Sequence, residues 1–103
     1  MAQLTIVYWR DIPAQVIARQ GRQTAKRELP ARFQEAIDRA AMRSGAHGTE
    51  AYLAEWRRGA PEPCGDDLEA EAERAAARLD TEYDAERLTR LVRGEGREQA
   101  ATD

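Results

Sequence analysis

The side chains best suited to nucleophilic chemistry are Ser44, His47 and Cys64, and each is the single residue of its type. Ser44 and His47 are close enough in sequence for a nucleophile and a general base to meet. However, Ser44 precedes Gly45, an ordinary pairing at a helix C-terminus, and no segment predicts an oxyanion-binding loop. Cys64 has no basic neighbour in the sequence to activate its thiol. We therefore predict that the chain is not an enzyme.

A metal centre is also poorly supported by the sequence. A structural zinc site uses four Cys or His ligands, usually in closely spaced pairs, whereas this chain has only His47 and Cys64. Carboxylates cluster between residues 66 and 73, but without the alternating ligands and glycine of a calcium loop. Such a cluster is typical of a helix N-terminus, where the macrodipole favours negative charge. We expect no metal and no cofactor.

Positive charge is concentrated in the segment from residue 19 to residue 27. The candidate contacts for an anion or a nucleic acid are Arg19, Arg22, Lys26 and Arg27. The segment has no aromatic residue on which a base could stack, and the whole chain carries a net charge of −3. These features disfavour nucleic acid as a partner, and a solvated turn is the simpler interpretation.

Charge is divided unevenly along the chain. Residues 1–60 carry a net charge of +4, and residues 61–103 carry −7. The two halves can attract each other within the fold, or can face different partners. No stretch approaches the roughly 20 apolar residues of a membrane span, and nothing at the N-terminus predicts a signal peptide. We expect a cytoplasmic location and no membrane contact.

The elements that position these residues begin with a strand. Residues 4–9 (Leu-Thr-Ile-Val-Tyr-Trp) are rich in β-branched and aromatic types, and both faces of the strand are largely apolar. Pro13 then punctuates the chain, and an extended pattern resumes, so residues 3–20 are predicted to form a β-hairpin. Because two strands alone are marginal in water, helices or another chain must cover the second face and the outer edge.

Helical periodicity follows the hairpin. Helices are predicted near residues 30–44, 49–58, 67–80 and 84–93, with a loop or linker at 59–65 and a frayed tail at 95–103. The apolar face of the first helix consists of Phe33, Ala36, Ile37, Ala40 and Ala41. The pattern therefore predicts one α+β domain over residues 1–94, an N-terminal β-hairpin packed with three to four α-helices.

Details of the later helices are less completely determined. Thr49 is the expected N-cap of the second helix, and either Asp66 or Asp67 can cap the third. The third helix has a narrow, alanine-rich apolar stripe that suits packing against another helix. The sequence leaves open whether the third and fourth helices are continuous.

Aromatic and charged side chains of the first strand and the second helix are candidates for partner binding. They are Tyr8, Trp9, Arg10, Asp11 and Trp56. A partner strand could add to the hairpin with Trp9 or Tyr8 as an anchor, although core packing is the better explanation for any one of the aromatic residues. We expect a protein partner or a homo-oligomer.

A family resemblance rests on LTIVYWRDIPAQV (residues 4–16), on Lys26 and Arg27, and on FQEAIDRAAM (residues 33–42). These segments resemble the bacterial virulence-factor domain family, over residues 3–58 and less clearly beyond Pro61. The family name implies a genetic phenotype and no reaction, so no catalytic residue is carried over.

The leading functional prediction is a non-enzymatic accessory or protein-interaction domain. The resemblance also implies gene neighbourhoods of folate- and corrinoid-linked methyl transfer. The alternatives are therefore a small subunit or regulator of such an enzyme, and a nucleic-acid-binding protein that uses residues 19–27.

Overall fold

Three strands come first and four helices follow, with two short strands between the second and third helices, as expected for the α+β class. A computed structural model describes residues 1–46 and 48–98. The strands are β1 (Gln3–Trp9), β2 (Ile12–Gln20), β3 (Gln23–Glu28), β4 (Trp56–Arg58) and β5 (Glu62–Pro63). The helices are α1 (Ala31–Ser44), α2 (Thr49–Ala54), α3 (Leu68–Glu82) and α4 (Ala85–Arg93). The predicted fold class is confirmed.

The predicted hairpin is the centre of a larger antiparallel sheet. The strand order is β3-β2-β1-β4, and β5 pairs with β1 beside β4. Trp9 pairs with Ile12, so Arg10 and Asp11 form the turn between β1 and β2. Val7 faces Gln15 whereas Tyr8 faces Pro13, which makes Ala14 an extra residue on β2.

The basic segment is mostly a strand, and its interpretation as a solvated turn is wrong. Only Gly21 and Arg22 form a turn, and Gln23–Glu28 is the edge strand β3. The sequence pattern does not predict this strand, because only one of its residues, Ala25, is buried. Alternation of apolar and polar residues, the usual signature of a half-buried strand, is therefore missing.

The outer edge of β1 is closed by the chain itself. The helix predicted over residues 49–58 ends at Ala54, and β4 and β5 then pair with β1. Gly59 N donates to Ile6 O at 2.8 Å, and Cys64 N donates to Ala2 O at 3.1 Å. Residues 59–61 and 64–65 are loop, as predicted, but Glu62–Pro63 is the strand β5, so the segment is held against the sheet edge and does not act as a free linker. A partner strand cannot add to β1, because the outer strands of the sheet are β3 on one side and the short β4 and β5 on the other.

The long helices agree closely with their periodicity. The five predicted apolar positions of α1 are its buried residues, and the helix ends at Gly45 with φ of 80°. Asp67 caps α3, and Asp84 caps α4 after a break at Tyr83, so the last two helices are separate. Two expectations are corrected. Gly48 is the N-cap of α2 in place of Thr49, and α3 packs against β2 and β3, while α1 packs against α4.

The segment after α4 is docked on the hairpin turn. Asp11 N donates to Gly96 O at 2.8 Å, and the Arg10 guanidinium donates to Glu95 O at 2.7 Å. Gly96 is buried against the ring of Trp9. The frayed-tail prediction is therefore wrong for residues 95–98, and its remainder, residues 99–103, lies outside the described residues.

Candidate functional site

Trp9 is a core residue and is not available as an anchor for a partner. Its side chain is 0% exposed. Its indole Nε1 donates a hydrogen bond to Tyr52 O at 2.9 Å, and its ring stacks on the Tyr52 ring with the centroids 5.8 Å apart. A fully buried tryptophan removes a large apolar area from water, so Trp9 stabilises this small core.

Arg10 and Asp11 connect the hairpin turn to two other segments. Arg10 adopts a left-handed φ of 53°, which is uncommon for a residue with a Cβ. Its backbone N donates to Glu55 O at 3.1 Å, and its Nε lies 3.3 Å from Glu55 Oε1. The Asp11 carboxylate accepts from Arg57 Nη2 at 3.1 Å and from Glu98 N at 2.6 Å. These contacts give both residues a structural role.

Tyr8 and Trp56 are the two candidate aromatics that keep some exposure. Tyr8 lies on the opposite side of β1 from Trp9, and the Arg57 guanidinium sits 4.5 Å from the centroid of its ring. Trp56 pairs with Trp9 across the strands and meets Tyr52 edge-on, with the centroids 5.9 Å apart. The structure therefore does not gather the five predicted residues into one exposed patch.

The four predicted anion contacts are divided between two faces of the sheet. Arg27 faces α3, where its Nη2 lies 2.6 Å from Glu69 Oε1. Lys26 and Arg19 point to the other face because side chains alternate along a strand. Arg22 is exposed in the turn between β2 and β3.

Among the described residues, one face of the sheet is covered by a helix only at its Trp9 end, where Tyr52 of α2 lies, and we call the uncovered part the open face. Directly paired residues lie on the same side of a sheet, so the strand register defines its three rows. The rows are Gln3, Arg19, Thr24 and Pro63; Thr5, Ile17 and Lys26; and Val7, Gln15, Glu28 and Arg58. The helix α3 lies on the opposite face, where Arg27 binds Glu69 and Leu4 lines a cavity together with α3 residues, while Gln20 donates to Asp66 just before the helix.

Burial on the open face differs between its centre and its margins. Thr5 and Val7 are half-buried and Ile17 is 5% exposed, yet neither Val7 nor Ile17 belongs to the hydrophobic core cluster. Arg19, Lys26 and Arg58 are exposed around them. None of these three cations forms an ion pair with another described residue. The result is a small apolar centre beneath unpaired positive charge.

A cavity opens at one end of the open face. It has a volume of about 470 Å³ and lies between the sheet and the start of α1. Two residues of the open face, Gln15 and Glu28, line it together with Trp56, Leu29 and Gln34. Sequence reasoning missed Arg58 and this cavity, because both depend on β4 lying beside β1.

Of the residues considered for catalysis, Ser44 has a local structural role. Ser44 Oγ donates to Ala41 O at 3.1 Å and accepts from Ala46 N at 3.2 Å, while His47 lies outside the described residues. Burial raises the pKa of the Cys64 thiol, and the carboxylates of Glu71 and Asp66 raise it further. A raised pKa lowers the fraction of the reactive thiolate.

Two negative findings concern only the part of the chain that the structure describes. No group of three or more His, Cys, Asp or Glu side chains is arranged to hold a metal ion in residues 1–46 and 48–98. Over the same ranges, no helix combines the length and the apolar character needed to cross a bilayer.

Comparison with known families identifies the chain. The profile of the family described as "Virulence factor" matches residues 7–92. The chain belongs to the virulence factor family. The match extends past Pro61, where the sequence resemblance thinned, and includes the fourth helix and most of the open face. No curated protein and no solved structure matches the chain.

Proposed function

We propose that the chain is a non-enzymatic accessory domain that binds an acidic surface of a partner protein through its open face. The observation that supports this proposal is the set of three exposed cations, Arg19, Lys26 and Arg58, without ion pairs. They surround a half-buried apolar centre that lies outside the core cluster.

The physical argument combines two contributions. Exposed cations attract an acidic partner and raise the rate of encounter, an effect that salt screens. Contact with Thr5 and Val7 then removes apolar surface from water, which adds roughly 25 cal/mol for each Å² buried. The cavity beside Trp56 can receive one anchoring side chain of the partner, because binding energy usually concentrates in a few such residues.

Site-specific crosslinking tests the proposal. A photo-reactive amino acid replaces Thr24, which is exposed on the open face, and in a matched control it replaces Glu73, which is exposed on α3. In lysate of the native host, the Thr24 probe should give a discrete protein adduct that the Glu73 probe does not give. The partner identified by mass spectrometry is then purified for titration.

Charge reversal in the purified pair supplies the second measurement. Lys26→Glu with Arg58→Glu should weaken the partner's affinity by roughly tenfold or more, since each reversed contact becomes repulsive. The control Arg78→Glu with Arg90→Glu makes the same change in net charge on helices and should leave affinity unchanged. Equal losses in both double variants, at unchanged melting temperature, would contradict the proposal.

Nucleic acid is the competing occupant of the same face. Lys26 and Arg19 now share a face with Arg58, although Arg27 is occupied by Glu69. Fluorescence anisotropy with a 20-nucleotide single strand and the matching duplex, at two salt concentrations, separates the two possibilities. Binding that weakens steeply with salt and is lost in Lys26→Glu with Arg58→Glu would assign the open face to nucleic acid instead.

The role as a small subunit or regulator of folate- or corrinoid-linked methyl transfer stays a prediction that rests on the resemblance alone. Its test is the rate and stability of a neighbouring methyltransferase with and without this chain. An unchanged rate and melting temperature would remove it. A change that is lost in the open-face double variant would make that methyltransferase the partner.

A further inference from the structure

A second surface lies away from the sheet, in a groove between α1 and α4. The groove has a volume of about 300 Å³. The two helices run side by side in the same direction. Arg32 near the start of α1 donates to Tyr83 O just before α4, and Arg43 at the end of α1 donates to Arg93 O. Residues 32–39 of α1 and 85–93 of α4 form the two walls.

The floor of this groove is apolar and belongs to the hydrophobic core. Ala36 and Leu88 are each 5% exposed, and Val92 is half-buried beside them. The volume is at the lower end of the range for small-molecule sites, and corresponds to that of about ten water molecules at roughly 30 Å³ each. A ligand that fills it would have roughly ten non-hydrogen atoms.

The rim of the groove carries an excess of positive charge. Arg32, Arg39 and Arg93 line it together with one carboxylate, Glu35. Arg32 is already bound to Asp80 at 2.6 Å. Arg39 and Arg93 form no ion pair with a described residue, and both are exposed. Arg93 lies in the last turn of α4, where its charge stabilises the helix C-terminus. Arg39 lies outside the last turn of α1, so interaction with the helix dipole does not explain its position.

We propose that this groove binds a small amphipathic anion, with an apolar body on Ala36, Leu88 and Val92 and a carboxylate or phosphate held by Arg39 and Arg93. Planar guanidinium groups suit either head group, since each can donate two parallel hydrogen bonds. The site is independent of the open face and of its partner.

Amide chemical shifts in an NMR titration test the groove directly. The probes are octanoate and octyl phosphate, which supply the two kinds of head group. The controls are octanol, which has the apolar body without the anion, and acetate, which has the carboxylate without the apolar body. At least one of the two anions should shift the amides of Ala36, Leu88 and Val92 in a saturable way, and whichever binds more tightly identifies the head group. Octanol and acetate should bind about tenfold more weakly or worse.

Substitutions then assign the two halves of the site. Arg39→Gln and Arg93→Gln should each weaken binding of the anion by about tenfold, while Arg78→Gln on α3 should have no effect. Val92→Gln should weaken octanol and the anions alike, because it changes only the floor. Each variant is first checked for an unchanged melting temperature, and one folded arginine variant is sufficient for the comparison.

The proposal is overturned by any of three results. The first is no saturable shift with either anion up to about 10 mM, weaker than the millimolar limit of useful affinity. The second is equal affinity for octanol and octanoate. The third is an arginine variant that binds the anion as tightly as the unmodified chain does.

Discussion

Trp9 joins three segments of the molecule through one side chain. Its ring stacks on Tyr52 of α2, its Nε1 donates to the Tyr52 carbonyl, and Gly96 packs against its edge. The strand position alone could not distinguish an exposed anchor from a core residue, because both faces of β1 are apolar. The fold decided the outcome by placing α2 over this end of the strand.

We predict that Trp9→Phe lowers the free energy of unfolding by about 1–3 kcal/mol. The phenyl ring is smaller, and it leaves the Tyr52 carbonyl without its donor. Trp56→Phe is the matched control, because Trp56 is half-buried and its indole makes no hydrogen bond to a described residue; it should cost less than about 1 kcal/mol. Urea unfolding measures both, and equal costs would show that the hydrogen bond is not what distinguishes the two residues.

At the scale of elements, the short segment after α4 functions as part of the sheet's end. It supplies two backbone carbonyls and one N–H to the turn between β1 and β2. It also places Gly96, with φ of 90°, where a Cβ would lie 2.9 Å from Trp9 Cζ3. A glycine is therefore required for conformation and for space.

Gly96→Ala should cost more stability than Gly45→Ala. Gly45 has a similar φ of 80°, but a Cβ there would meet nothing within 4 Å, so it measures the cost of the backbone conformation alone. We expect about 1 kcal/mol at Gly45 and at least about 1 kcal/mol more at Gly96, where Trp9 must move. Thermal and urea unfolding of both variants check this prediction. A similar loss of stability at the two sites would mean that the segment after α4 moves away from Trp9 at no cost in free energy.

At the scale of the whole molecule, the basic first half and the acidic second half attract each other. The ion pairs Arg27–Glu69 and Arg32–Asp80 join residues of the two halves at 2.6 Å each. The second pair lies beside Tyr83, which is 8% exposed and packs against Phe33, with ring centroids 6.2 Å apart. Tyr83 is therefore a point where the two halves meet in the core.

The stability of the molecule should depend on the ionisation of Tyr83 in alkali. Burial raises the pKa of its phenol, although the Arg87 guanidinium acts in the opposite direction. The folded-state pKa is above that of the unfolded chain, so the contribution of the protonated phenol to the free energy of unfolding is fully present below about pH 10. It is lost as pH rises through the raised folded-state pKa, because the unfolded chain ionises more readily. Tyr83→Phe should lose less stability than the unmodified chain as pH rises above about 10. Urea unfolding across this range is the measurement, and parallel losses would contradict the prediction.

The sequence by itself determined the class of fold, the hairpin and the long helices, and it located α1 by the five residues that are buried. These features follow from periodicity and from local caps such as Asp84, which act within a few residues of chain. Only the tertiary structure decided which strands form the edges of the sheet and which cations share a face. Residues 56–63 close β1 and bring Arg58 beside Val7, while Arg27 and Lys26, adjacent in sequence, point to opposite faces. Pairing between distant segments sets these outcomes, so local patterns carry no signal for them.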